Sequence, residues 1–220
     1  TDIIDLSSVL GKNIKYYYLS YASNDYYSAI KDTKDELKRC PITNERKRIL
    51  VGHRGTEENN HIEILKKLEK YASEKFEVYI PLSYGDKKYI EKVEQYIRDN
   101  CKKNVIVVKK FMEFREYVKF LSQMDIAIFD GNTSYALGNL EILLFFEKVI
   151  YLNQTGVIAK AFDMEKSPYR LISDIGCCTF EKFSEPIKYP ENFSSELSVM
   201  SMEDRLMNWK KLFTDFSITH

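Results

Sequence analysis

Five short apolar runs, spaced regularly through the middle of the chain, are the feature that most constrains its fold. They are rich in Val and Ile, and turn formers or charged residues stand at their ends, such as Gly52 after the first run and Asp130 after the fourth. Runs of this length that are apolar on both faces predict strands buried inside a parallel sheet. The runs occupy residues 49–51, 77–80, 105–108, 126–129 and 149–152.

The segments between these runs have helical periodicity. Apolar residues recur every three or four positions, as at Ile90, Val93 and Ile97. Segment 137–144 is more apolar and predicts a helix that is buried on more than one side. Strands that alternate with helices predict an α/β fold, a Rossmann-like parallel sheet with helices on both faces.

The N-terminal part of the chain does not follow this alternation. Residues 1–45 are predicted to be an N-terminal segment and linker, the end of a missing N-terminal domain, with an extended piece at 16–19 and a helix over 23–39. Residues 46–220 are predicted to form the Rossmann-like domain. The chain begins with Thr1 and shows no signal-peptide pattern, which favours a processed chain or a piece of a longer one.

The pattern also weakens after residue 155. Thr179 and Phe180 indicate a sixth strand, and residues 184–198, which include two prolines, indicate a loop. Apolar spacing predicts a final helix over about 202–213.

Composition excludes several classes of function. Lys plus Arg and Asp plus Glu each number 33, so a broad electrostatic grip on nucleic acid is not expected. The aromatic content, 16 Tyr, 13 Phe and one Trp, excludes a largely disordered chain. The four cysteines have no CxxC spacing and the three histidines no metal spacing, so neither a metal nor another cofactor is expected.

The loop after the first run is a candidate anion site, because ligands of parallel sheets bind at the carboxyl ends of the strands. Gly52 and Gly55 would let the backbone approach a ligand, and His53 and Arg54 would present a donor and a positive charge. The next helix, starting near Asn60, would add free N–H groups, which suits a diphosphate. A tight turn with a solvated arginine explains the same residues equally well.

The loop after the fourth run is the most ligand-like segment. Asn132, Thr133 and Ser134 lead into a helix that contains Gly138 and Asn139, so hydroxyl, amide and N–H groups would converge on a diphosphate. The alternative is an ordinary N-capping loop. Glycine in a helix costs about 1 kcal/mol relative to alanine, so Gly138 favours close approach of another group to the backbone. We expect the first and fourth loops to hold one pyrophosphate together.

Two further loops carry aromatic residues. Tyr84 could offer its hydroxyl to a sugar or phosphate, and Phe111 beside two lysines could cover a nucleobase. The alternatives are a tyrosine packed over the sheet edge and an ordinary helix start. No catalytic base can be identified from the sequence. Glu57, Glu58 and Asp130 are the only candidates we name.

An ordered set of short matches links the chain to a known family. It includes ILVGHRG at 49–55, where the family runs more like ILVGNSG, then Asn60 with His61, the segment 81–84, Gly138 with Leu140, and Leu152 with Asn153. Over residues 49–153 and the final helix, the sequence resembles the bacterial Fuc4NAc transferases. These are also called TDP-N-acetylfucosamine:lipid II N-acetylfucosaminyltransferases or 4-alpha-L-fucosyltransferases.

The resemblance implies a GT-B glycosyltransferase, in which two Rossmann-like domains face a cleft and the C-terminal one holds the donor. It implies a dTDP-sugar donor of the Fuc4NAc type, a lipid-linked saccharide acceptor, and enterobacterial common antigen-type polysaccharide synthesis. The protein would be cytoplasmic and would contact the inner face of the bacterial membrane peripherally. Enzymes of this type need no metal.

By position, the resemblance places Gly52 and Gly55 beside the diphosphate and Gly138 at its helix, with Tyr84 and the segment from Phe111 to Phe114 near the donor or its base. His53 and Arg54 replace the family's small polar pair, so the donor could differ. Without the other domain, the chain is expected to bind a nucleotide but not to turn over. The alternatives are another GT-B hexosyltransferase, a sugar-nucleotide epimerase, and a non-catalytic nucleotide-binding module.

Overall fold

A parallel sheet, as the sequence predicts, lies at the centre of the described part of the chain, where it has six strands. The computed structural model describes residues 24–39, 45–101, 104–133, 135–189 and 202–217. The expected extended piece at 16–19, Ser134 and most of the expected loop 184–198 lie outside them. The strands are β1 (Lys47–Val51), β2 (Phe76–Pro81), β3 (Val105–Val108), β4 (Ile126–Phe129), β5 (Val149–Leu152) and β6 (Arg170–Leu171), in the order β3-β2-β1-β4-β5-β6.

Helices cover both faces of the sheet. The described helices are α1 (Asn24–Arg39), α2 (His61–Leu68), α3 (Lys87–Asn100), α4 (Phe114–Ser122), α5 (Leu137–Phe145), α6 (Val157–Glu165), α7 (Phe180–Ser184) and α8 (Met202–Ser217). Side chains alternate across each strand, so β1 sends Leu50 to the face shared with α1, α4, α5 and α6. It sends Ile49 and Val51 to the opposite face, shared with α2, α3 and α7.

Helix α1 packs onto this same domain. Ala29 and Ile30 are buried in the cluster that contains Leu50, and α1 runs beside α4. Salt bridges of Arg115 with Asp32 at 3.0 Å and of Lys119 with Glu36 at 2.6 Å connect the exposed sides of α1 and α4. Helix α1 therefore shares the core of the Rossmann-like domain, although the boundary after residue 45 stays a prediction.

The sixth strand lies elsewhere than the sequence indicates, so that prediction is wrong. Arg170 and Leu171 pair with β5, whereas Thr179 is the N-cap of α7 and its side chain accepts a hydrogen bond from the Lys182 N–H. Phe183, which is fully buried, packs between the aromatic rings of neighbouring elements. A two-residue edge strand is too short to show an alternating pattern, and a β-branched capping residue resembles a strand residue in sequence.

The strand order brings the first and fourth loops together. β1 pairs with both β2 and β4, and Val51 lies opposite Ile128. The chain leaves β1 towards one side of the sheet and returns at β4 on the other, so the two carboxyl ends form the switch point where ligands of such sheets bind. Both candidate diphosphate loops start there, at Gly52 and Asp130.

Candidate functional site

Gly52 shapes the first loop by making room for protein atoms. Its φ is +66°, a conformation that favours glycine. A Cβ at this position would lie 2.6 Å from His61 Nε2 and 2.8 Å from Asn59 Oδ1. The glycine therefore lets the loop fold back onto the start of α2, and the space that it opens is occupied by these two side chains.

Gly55 joins the first loop to the second. Its N–H donates to the Tyr84 carbonyl at 2.9 Å, and its own carbonyl accepts from the Asp86 N–H at 2.8 Å. A Cβ on Gly55 would overlap the Ile90 side chain, and a Cβ on Gly85 would overlap Gly55 itself. The sequence predicts that a ligand approaches the backbone closely at these glycines, but here protein atoms make that approach. Contact of Gly52 and Gly55 with a diphosphate stays a prediction.

His53 faces inward, contrary to the expectation that it presents a donor to a ligand. It is only 7% exposed, its Nδ1 lies 3.1 Å from Asn59 Oδ1, and its ring stacks on Tyr135 with centroids 4.9 Å apart. Burial, followed by the charge of Arg54, lowers the pKa of His53 to about 4. The imidazole is therefore neutral at pH 7 and supports the loop from inside.

Tyr135 belongs to the fourth loop and fills the space next to His53. A Cβ on Gly131 would overlap the Tyr135 ring, so glycine is required there by the aromatic side chain. Tyr135 is 7% exposed, and among the described residues its hydroxyl has no hydrogen-bond partner. Burial raises the pKa of Tyr135, Asp130 and Glu58 raise it further, and Arg54 lowers it. The hydroxyl is thus a neutral donor that lies within the electrostatic reach of both loops.

Arg54 provides a second donor without a partner. Within the described part of the chain, its buried Nε has no hydrogen-bond acceptor. Its Nη2 makes only a long contact of 3.4 Å with Glu58 Oε2. Buried donors in native proteins nearly always have partners. We call the boundary between loop 52–56 and the described residues of loop 130–136, where His53 stacks on Tyr135, the inter-loop gap. Each of the two loops therefore carries one buried donor that has no acceptor among the described residues.

Asp130 ties three loops together at the edge of this gap. The Asn153 Nδ2 donates to Asp130 Oδ1 at 2.8 Å. The Asn60 Nδ2 donates to the Asp130 carbonyl at 3.1 Å and to Oδ2 at 3.3 Å. Asn60 itself has a φ of 45°. The loops that follow β1, β4 and β5 therefore meet at one carboxylate, and each of its oxygens accepts from one amide group.

Asn132 and Thr133 lie at the exposed rim of the gap. The Asn132 carbonyl accepts from the Val157 N–H at 3.3 Å, and its Oδ1 accepts from the Thr155 hydroxyl at 3.4 Å. Ser134 is outside the described residues. This rim is therefore polar and fixed to the start of α6, and ligand contact by these residues stays a prediction.

The start of α5 is open. Gly138 is exposed, and a Cβ there would meet only the Tyr26 hydroxyl, at 3.7 Å. Tyr26 donates to the Gly138 carbonyl at 3.2 Å and to Glu141 Oε2 at 2.9 Å, and the Asn139 Nδ2 donates to the Tyr117 hydroxyl at 2.9 Å. Among the described residues, no protein atom makes the close approach to Gly138 that the sequence favours. The space beside the N–H groups of the first turn is available to an anion.

The aromatic residues predicted to bind base or sugar all lie at the same edge of the sheet. β2 and β3 end side by side, with Pro81 opposite Val108, so the two aromatic loops are neighbours. Tyr84 is 54% and Phe111 75% exposed. Phe114, at the start of α4, stacks on Tyr26 with centroids 5.0 Å apart. Two rings are therefore free to contact a ligand, and the third has a protein partner on one side.

Neither Tyr135 nor the pair of asparagines around Asp130 was singled out from the sequence as a site residue. The sequence signal of Tyr135 is weak, because an aromatic residue four positions after a glycine indicates a contact only when the geometry of the turn between them is known.

Among the described residues, no group of three or more His, Cys, Asp or Glu side chains is arranged to hold a metal ion. Nor is any described helix long and apolar enough to span a bilayer.

Solved structures share this fold at low sequence identity. A glycosyltransferase from Rickettsia africae ESF-5 is 10% identical with a TM-score of 0.64, over 97% of this chain and 61% of that one. Sucrose-phosphate synthase from Thermosynechococcus elongatus is 10% identical with a TM-score of 0.68, over 100% and 57%. A UDP-forming alpha,alpha-trehalose-phosphate synthase from Burkholderia xenovorans, in complex with glucose-6-phosphate, is 12% identical with a TM-score of 0.56, over 90% and 50%.

These likenesses establish the fold, and the chain spans only half to about three fifths of the proteins compared. The sequence itself supplies the family. The model of the 4-alpha-L-fucosyltransferases, glycosyl transferase group 56, matches residues 15–175, which is most of the chain. The fold and the family expected from the short motifs are both confirmed, and the chain belongs to the 4-alpha-L-fucosyltransferase family, glycosyl transferase group 56.

Proposed function

We propose that this chain binds the nucleotide-sugar donor of a glycosyltransferase and that the diphosphate lies in the inter-loop gap. One observation carries the proposal: the Tyr135 hydroxyl and the Arg54 Nε, one from each loop, are buried donors with no acceptor among the described residues. An unsatisfied buried donor costs about 1–3 kcal/mol. A phosphate oxygen satisfies such donors, and the glycosyltransferase family supports this kind of ligand.

The gap also has the charge that the reaction requires. In sugar transfer, an acceptor hydroxyl attacks the anomeric carbon and the bond from that carbon to the diphosphate oxygen breaks. Negative charge then grows on the leaving nucleoside diphosphate. In this proposal, Arg54, the Tyr135 hydroxyl and the positive end of α5 stabilise this charge. The exposed rings of Tyr84 and Phe111 stack on the nucleobase or sugar, with Phe114 beside them.

The finer assignment follows the sequence motifs. We propose a dTDP-sugar donor of the Fuc4NAc type and a lipid-linked saccharide acceptor, in cell-surface polysaccharide synthesis of the enterobacterial common antigen type. The protein then works at the cytoplasmic face of the bacterial inner membrane. Because the proteins with this fold are nearly twice as long, we expect the 220-residue chain to bind the donor but to lack turnover by itself.

The variant Tyr135→Phe tests the position of the diphosphate. It removes the unpaired hydroxyl and keeps the ring that stacks on His53, so the folded protein should be as stable as the wild type or more stable by about 1 kcal/mol. If the hydroxyl binds the diphosphate, dTDP should bind about tenfold more weakly to the variant in isothermal titration calorimetry.

The matched control is Tyr169→Phe, because the Tyr169 hydroxyl donates to Asp163 on α6, away from the gap. The control should leave dTDP affinity unchanged. Equal dTDP affinity for wild type and Tyr135→Phe would contradict the proposed position. A thermal-shift screen with dTDP, UDP, GDP and FMN separates the ligand classes, and stabilisation by FMN alone would favour a non-catalytic nucleotide-binding module instead.

A further inference from the structure

Tyr26 joins the starts of two helices at the carboxyl edge of the sheet. Its hydroxyl donates to Glu141 Oε2 at 2.9 Å and lies 3.2 Å from the Gly138 carbonyl oxygen, both on α5. Its ring stacks on Phe114, the first residue of α4, with centroids 5.0 Å apart and planes inclined by 21°. α4 and α5 follow β3 and β4, so both helices begin at this edge. One side chain from α1 therefore contacts both helices where they begin.

The rest of α1 holds Tyr26 in this place. Ala29 and Ile30 are buried in the core, and the two salt bridges described above connect α1 to α4. Lys34, about two turns after Tyr26, donates to the carbonyl of Phe145 at the end of α5, at 3.4 Å. α1 therefore runs along both helices, and Tyr26 meets them at the end that faces the proposed donor site.

The start of α5 depends on such contacts, because its N-cap residue, Ala136, has a φ of 56° and provides no capping hydrogen bond. A capping side chain would occupy N–H groups of the first turn, and these are the groups that the proposed function offers to a diphosphate. A helix that keeps them available has to be held by its other groups. In the described part of the chain, Tyr117 holds Asn139 and Tyr26 holds the Gly138 carbonyl.

We propose that Tyr26 is a positioning residue of the donor site, which holds the first turn of α5 through its hydroxyl and Phe114 through its ring. The proposal rests on the proposed function and deepens it by assigning a support from the helix that precedes the six strands. Burial, followed by the charge of Glu141, raises the pKa of Tyr26, so the hydroxyl keeps its hydrogen at neutral pH. The two contacts serve different parts of the ligand, α5 the diphosphate and Phe114 the nucleobase or sugar.

Two variants separate these contacts. Tyr26→Phe removes the hydroxyl and keeps the ring stack, whereas Tyr26→Leu removes both. The 220-residue chain is titrated with dTDP, inorganic pyrophosphate and thymidine, followed by amide NMR, which also detects weak binding. Tyr26→Phe should bind dTDP and pyrophosphate about fivefold more weakly and thymidine as the wild type does. Tyr26→Leu should in addition bind thymidine about threefold more weakly. A merely structural contact would not distinguish the two halves of the ligand.

The matched control is Tyr96→Phe. The Tyr96 hydroxyl also donates to a carboxylate, Glu69 Oε1 at 2.9 Å, but it lies in the second half of α3, which leads away from the carboxyl edge to the start of β3. All three affinities should stay at the wild-type value in this control. Urea unfolding gives the stability of each variant, so that the affinities are compared between folded proteins.

Two results would overturn the positioning role. If Tyr26→Phe binds dTDP and pyrophosphate as tightly as the wild type, whatever its stability, the hydroxyl supports only the fold. If both variants weaken all three ligands by the same factor, the two contacts have no separate roles. A wild-type chain that binds none of the ligands contradicts the proposed function as well. That failure is distinguishable, because in the first two cases the wild type still binds dTDP.

Discussion

The contact between Gly131 and Tyr135 makes a quantitative prediction for Gly131→Ala. The added Cβ would overlap Cε1, Cζ and the hydroxyl oxygen of Tyr135. Carbon atoms pack at about 3.5–4.0 Å, so the ring would have to move by about 1.5 Å or more. Gly131 is not among the residues with positive φ, so the cost is steric. Since the buried ring also loses its stack on His53, we expect destabilisation of about 3 kcal/mol, the upper end for overpacking.

A double-mutant cycle isolates this clash. Tyr135→Ala should cost about 3–5 kcal/mol, and the double variant should cost no more than Tyr135→Ala alone, because the new methyl then enters an empty space. The coupling free energy should therefore be about 3 kcal/mol, measured by urea unfolding followed by far-UV circular dichroism. Gly138→Ala is the control, and it should stabilise by up to about 1 kcal/mol. Additive costs in the cycle would refute the assigned packing of Tyr135 over Gly131.

Two other predictions address titration and the exposed aromatic edge. Burial lowers the pKa of His53 to about 4 and that of His61 to about 3, below the unfolded value of about 6.5. The contribution of the two neutral histidines to stability is therefore fully present above pH 6.5. The free energy of unfolding falls as the pH drops towards 4, by at most about 1.4 kcal/mol per pH unit for each histidine. The free energy of unfolding, measured by urea titration at several pH values, should fall less steeply below pH 6.5 in His53→Gln than in the wild type. An unchanged pH dependence would contradict the assigned burial. Phe111→Ala should change stability by less than about 0.5 kcal/mol and weaken dTDP binding in calorimetry, whereas equal affinity would remove Phe111 from the base site.

Most of the sheet could be predicted from local pattern. The runs at 49–51 and 126–129 match strands of the structure to within two residues, because strands buried on both faces need apolar residues at every position. The run at 105–108 also matches a strand, although β3 lies at the edge of the sheet and is only half-buried. β6 could not be found this way, because two residues are too few to show a pattern. Only the pairing of Arg170 with Tyr151 identifies this strand. The final helix also extends beyond its predicted end, to Ser217.

The meeting of the first and fourth loops was predictable from the sequence, and the packing within them was not. Consecutive apolar runs and the switch-point rule brought the first and fourth loops to one edge. The same reasoning assigned Gly52 and His53 to a ligand, whereas the structure packs both against protein. A glycine or histidine in a loop has the same local sequence signature whether its neighbour is a phosphate or a side chain from another element.

The sequence by itself determined the α/β class, the strands β1 to β5 and the family, because each depends on residues that lie close together along the chain. Only the tertiary structure decided which groups at the sheet edge remain without a partner. The contacts of Asn60 with Asp130, 70 residues apart, and of His53 with Tyr135 arise when separate strands align. Whether a polar group has a hydrogen-bond partner depends on every residue that surrounds it in space, including residues that are distant in the sequence. The unpaired hydroxyl of Tyr135 therefore becomes visible only in the folded chain.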